Sequence, residues 1–121
     1  MKKVILVEEE EALHDLLRRQ LPDMEVVSAR TLAEFYAVFT THGETADAIV
    51  WSAGLLTDGM SIDGIRFARS NGYGRPMYAA SFVPFIRDDQ IEAGIHSMIP
   101  IERKGDIADT LRRDLGLDPT P

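Results

Sequence analysis

The feature that most constrains this chain is an alternation. Short β-branched and aliphatic runs recur between stretches whose apolar residues fall at helical spacing, and this happens five times. Such a pattern predicts a parallel sheet covered by helices, because parallel neighbours need a crossover long enough to hold a helix. The first run is Val4–Val7. Leu13, Leu16, Leu17 and Leu21 follow on one helical face, which Pro22 ends. "MEVVSA" is the second run. Thr31, with Glu34 three residues on, then has the form of a capping box ahead of Leu32, Phe35, Tyr36 and Phe39, and Gly43 suits the end of that helix. "DAIVW", residues 47–51, is the third and central strand. The segment "SAGLLTDGM" reads as a polar loop, with Ser61 capping a third helix through Ile62, Ile65 and Ala68. "PMYAAS" and "HSMIP" are the fourth and fifth strands, with a short helix over Asp88–Ala93 between them. The last helix runs from Ile107 to Leu115 and stops at Gly116. The expected fold class is α/β: a three-layer α/β/α sandwich around a five-stranded parallel sheet, built as (βα)5.

Length and charge narrow the function. With 121 residues the chain predicts one domain, residues 1–116, and "LDPTP" at 117–121 is a tail or a linker stub. Thirteen Lys and Arg against 20 Asp and Glu give a net charge of −7, which disfavours direct binding to nucleic acid or an anionic membrane. The chain has no cysteine, so disulfide and thiolate chemistry are excluded and a cytoplasmic location is expected. No apolar run approaches the roughly 18–20 residues of a membrane span, and Val4–Val7 is too short for a signal peptide.

In open α/β sheets ligands gather at the carboxyl ends of the strands. The run Glu8 to Glu11, Ser52 and Ser81 all fall at such ends and form one candidate site. Two readings of the glutamates stay open. They begin a helix, where carboxylates gain from the helix dipole, or Glu8 and Glu9 hold Mg²⁺ weakly as the start of an oxygen-ligand set. His14, His42 and His96 lack metal-ligand spacing and read as ordinary histidines. Trp51 reads as packing beside Ser52, and Met98 as flexible core filler. "SFVPFIR", residues 81–87, is apolar for a loop and reads equally as a docking surface or as core.

The order of these pieces resembles the receiver domain of two-component response regulators, over nearly the whole chain from Lys3 to about Leu115. "ILVEEEEALHDLLRRQL" is similar to the family's first strand, acidic pair and first helix. "ADAIVWS" resembles the third strand leading to the phosphoacceptor, and "RPMYAASF" the fourth strand ending in a hydroxyl residue. "EAGIHSMIPI" resembles the segment running into the fifth strand. The resemblance implies a flavodoxin-like receiver fold. It also implies a site in which an acidic pair holds Mg²⁺, an aspartate takes a phosphoryl group, and a hydroxyl and a lysine contact its oxygens. By position, the acidic pair is Glu8 and Glu9, the hydroxyl Ser81, the nucleophile Ser52 and the lysine Ile101.

Two of these depart from the pattern. Ser52 has no carboxylate to form an acyl phosphate, and no base stands near it in the sequence. Ile101 brings no cation to balance phosphoryl charge. The segment from Ser52 to Gly64 is also longer than the family's usual one. The resemblance therefore implies a degenerate receiver, or pseudoreceiver: a non-enzymatic, phosphorylation-independent signalling module without a cofactor beyond weak Mg²⁺. Its protein partner, or a second copy of itself, would meet the face of the fourth helix, fifth strand and fifth helix. That face maps to Asp88, Ile91, Met98, Arg103, Lys104, Arg112 and Arg113. Two alternatives remain: a metal- or phosphate-responsive receiver with Asp58 or Asp63 as a displaced acceptor, and a small-ligand-binding flavodoxin-like domain. The second has little support, because no glycine-rich phosphate cradle and no G-x-G-x-x-G follows the first strand.

Overall fold

The structure, a computed structural model, describes residues 1–52, 55–80, 91–99 and 105–118, with Leu55 described by its backbone alone. In chain order it contains β1 (Lys2–Val7), α1 (Glu11–Gln20), β2 (Met24–Ala29), α2 (Leu32–His42), β3 (Ala48–Trp51), β4 (Leu55–Leu56), β5 (Gly59–Met60), α3 (Ser61–Ser70), β6 (Met77–Ala80), β7 (Ser97–Ile99) and α4 (Asp106–Asp114). The main sheet has five strands in the order β2-β1-β3-β6-β7, and every pairing is parallel. This is the expected α/β class with a flavodoxin-like, receiver-type topology. The order reverses at β1 and β3, so the cleft above their carboxyl ends is where such a sheet gathers function.

Strand periodicity divides the core into two. Ile5, Val7, Ile49, Trp51, Met77 and Ala79 face one way and pack with Leu32 and Phe35 of α2 and Ile65 and Ala68 of α3. Val4, Leu6, Ala48, Val50, Tyr78 and Ala80 face the other way and pack with Leu17 of α1 and Ala108 and Leu111 of α4. A sheet buried on both sides needs apolar residues at successive positions, and the buried run Val4–Val7 supplies them.

Several local expectations are corrected. Leu13 was expected on the buried face of α1 but is 37% exposed, and His14 is fully buried in its place. The imidazole fits there because its Nε2 reaches the Glu8 main-chain oxygen at 2.7 Å. Ser61 is the first residue of α3 rather than its cap, and Met60 holds the cap position. The segment after Ser52 is not simply a loop: β4 and β5 form an antiparallel hairpin, with Leu55 opposite Met60 and Leu56 opposite Gly59. Thr31 does cap α2, accepting from the Glu34 N–H at 3.1 Å. Of the short helix expected over Asp88–Ala93, residues 91–93 are helical and the rest lies outside the described residues, as does "SFVPFIR".

Candidate functional site: the acidic corner and its hairpin

β1 and β3 each continue one rung past their last strand residue. The Glu8 N–H donates to the Ala29 oxygen at 3.0 Å, and the Ser52 N–H to the Val7 oxygen at 3.1 Å. These bonds place Glu8 and Ser52 side by side at the switch point of the sheet. Glu8 is 7% exposed, and the Ser52 hydroxyl donates to its Oε2. The other carboxylate oxygen of Glu8 accepts the Glu10 N–H at 3.3 Å. The Glu8 carboxylate thus accepts the Ser52 hydroxyl on one oxygen and the Glu10 N–H on the other.

Each remaining glutamate has its own partner or place. Glu9 accepts from the Thr57 hydroxyl at 2.7 Å. Glu10 is the extended N-cap of α1, and Glu11 alone stands in the first helical turn. Arg30, just beyond β2, donates to the Glu9 main-chain oxygen at 2.9 Å and pairs with the Glu11 carboxylate at 3.2 Å. Sequence reasoning missed Arg30 and Thr57 because both are remote in the chain and lie in no motif. The hairpin itself had a signal: "TDG" between apolar residues is a tight-turn pattern.

Asp58, at the hairpin tip, accepts the Leu32 N–H on Oδ1 at 2.8 Å and the Ala33 N–H on Oδ2 at 3.0 Å. These main-chain donors hold its carboxyl below the ordinary aspartate value. Both oxygens thus face the start of α2. Asp63 is exposed in the first turn of α3. Beneath the corner, Trp51 packs on Phe35 with ring centroids 4.5 Å apart. Gly64 makes that possible, since a Cβ there would lie 2.4 Å from the Trp51 ring.

Mg²⁺, which a receiver-type site would use, fits these residues poorly. Glu8 and Glu9 accept from protein donors, Ser52 offers a neutral hydroxyl, and among the described residues no three His, Asp or Glu side chains converge. At this corner a hydroxyl and a carboxylate form a donor–acceptor pair, where two carboxylates would repel. Ser81 and Ile101 lie outside the described residues.

Of the residues expected on a partner face, Asp88, Arg103 and Lys104 also lie outside the described residues. Ile91 is 51% exposed, Met98 is partly buried against the core and Arg113 is exposed. Arg112 has to be withdrawn from that face. It is 6% exposed, donates to both carboxylate oxygens of Asp23 at 2.7 and 3.0 Å, and reaches the main-chain oxygens of Gln20 and Asp118. The guanidinium is planar and carries a fork of donors, which suits it to tie three segments together.

The class defined by this fold is the flavodoxin-like α/β sandwich of receiver type. Among solved structures, the chain is similar to the HemR receiver domain of Leptospira biflexa in non-phosphorylated form, with 21% identity, TM-score 0.82, and 100% of this chain and 99% of that one covered. A response regulator receiver domain protein from Clostridium thermocellum shares 12% identity at TM-score 0.80, covering 96% and 95%. The chemotaxis response regulator CheY4 of Vibrio cholerae shares 18% at TM-score 0.76, covering 93% and 98%. No protein-family model matches the sequence, and no curated protein does. Among the described residues, no helix is long and apolar enough to cross a membrane.

Proposed function

We propose that this chain is a pseudoreceiver: a cytoplasmic, non-enzymatic signalling module that binds a protein partner, or a second copy of itself, without being phosphorylated. The observation that carries the reading is the Ser52–Glu8 hydrogen bond at the position where a receiver would present its nucleophilic aspartate. A serine there cannot form an acyl phosphate. Its proton is directed at a carboxylate already accepting a second donor. Arg30, which borders the corner, is engaged by the Glu9 main-chain oxygen and the Glu11 carboxylate. Of the two displaced acceptors, Asp58 is disfavoured because both of its oxygens accept main-chain donors of α2, and Asp63 stands exposed in the first turn of α3. Receiver-type neighbours support a role in signalling, and the partner face in this reading retains Ile91, Met98 and Arg113, with Asp88, Arg103 and Lys104 beside them in sequence. Arg113, exposed and paired with Asp114 at 2.9 Å, would exchange that partner for an acidic surface on docking.

An amide NMR titration with Mg²⁺ and then beryllofluoride, a phosphoryl mimic, tests this. The expected result is no saturable shift at Glu8, Glu9 or Ser52. Saturable shifts that spread from these residues to Met98 and α4 would overturn it.

A further inference from the structure

We infer that the Leu55–Met60 hairpin is a latch, whose contacts with the acidic corner and with α2 open and close as one unit. Three observations carry this. First, the turn uses adjacent residues in different directions: Thr57 donates to Glu9 of the β1–α1 connection, and Asp58 accepts from Leu32 and Ala33 of α2. Second, the hairpin is anchored beneath that turn. Leu56 is 3% exposed in the same apolar cluster as Leu32, Phe35 and Trp51. Third, its return strand is fitted to α2. Gly59 has φ 151°, which L side chains rarely adopt, and a Cβ there would lie 2.7 Å from Leu32 Cδ1.

The hairpin strands are only two residues long, too short to be stable alone. Its order must come from these attachments. When a short element depends on several contacts at once, losing one removes the geometry that the others need. Release of the turn would therefore uncouple Glu9 from α2, lift Leu56 from the cluster and expose Trp51 beside the Glu8–Ser52 pair. The inference concerns the hairpin alone and holds whether or not the corner takes a phosphoryl group.

The test is a pair of conservative variants read at each other's contacts. Thr57→Val removes the bond to Glu9 and touches neither amide of α2. Asp58→Asn weakens the α2 contacts and does not touch Glu9. The latch predicts crossed effects: in Thr57→Val the Leu32 and Ala33 amides exchange about five-fold faster or more, a usual size for coupling between sites. In Asp58→Asn the Glu9 and Ser52 amide signals move, and acrylamide quenches Trp51, the chain's single tryptophan, more strongly in both variants. If each variant disturbs only its own contact and Trp51 stays protected, the two bonds are independent and there is no latch.

Discussion

The two faces of the sheet are built by different means. On the α2–α3 side, rings interlock: Phe35 touches Tyr36, Phe39 and Trp51, while Phe67 touches Tyr36 and Phe39, and Tyr73 closes on Phe39. On the α1–α4 side the core is mostly aliphatic around the single buried ring of Tyr78, and polar side chains fasten its margins. Arg112 grips Asp23, the Tyr78 hydroxyl donates to Asp114 at 2.8 Å, and His14 donates to Glu8. Salt and acid therefore act mainly on the α1–α4 side, while Tyr73 carries a titrating hydroxyl within the ring cluster of the other. Dispersion and apolar burial carry no charge to screen and no proton to titrate, whereas ion pairs are screened and buried hydroxyls titrate.

The largest effect should come from the aromatic face. Phe35→Ala removes a fully buried ring from the centre of the cluster and should cost about 3–5 kcal/mol by chemical denaturation, nearly unchanged between low and high salt. A strong salt dependence of that loss would break the contrast.

Next in size is Arg112→Leu, read by the same denaturation series against pH. The loss should be smaller than for Phe35, because the Asp23 side chain is 47% exposed and water can re-solvate it. The hydrogen bond from Arg112 holds the Asp23 carboxyl below its ordinary value. A depressed carboxyl stabilises the fold above the unfolded aspartate value, about 3.9, and that contribution disappears as pH falls through the folded value. Wild type should therefore lose stability on the acid side more steeply than the variant. Parallel acid limbs would count against Asp23 as a source of the dependence.

The smallest effect sharpens the alkaline side. Burial, then the hydrogen bond to Asp114, pushes the Tyr78 hydroxyl above its ordinary value. The unfolded chain would ionise first, so stability should fall as pH rises past about 10. Tyr78→Phe should cost about 0.5–1.5 kcal/mol near neutrality and soften that alkaline fall. Buried Tyr73, also raised by desolvation, keeps part of it.

What could be read from the sequence followed from how local each cause was. Val4–Val7 announces a strand buried on both sides, and Thr31 with Glu34 announces a helix start, because neighbours in the chain carry both signals. The pairing of Glu8 with Ser52 was legible only as two strand ends facing one cleft; the hydrogen bond between them follows from the parallel register. His14 displaced Leu13 from the buried face because a main-chain oxygen lay within reach, which hydrophobic periodicity does not encode. Arg112 looked like a surface cation for the same reason. Its carboxylate lies in the connection between α1 and β2, and nothing in its own neighbourhood points there.

The Arg112 clasp also bears on time rather than energy. It joins positions 89 residues apart, so almost the whole chain must be arranged before it can close. Closing a loop of that length carries an entropic cost that slows whichever step includes it. An interaction absent from the transition state leaves the folding rate alone and slows escape from the native state. The kinetics of Arg112→Leu read out when the last helix is fastened: faster unfolding at an unchanged folding rate places the clasp after the barrier, and slower folding places it before.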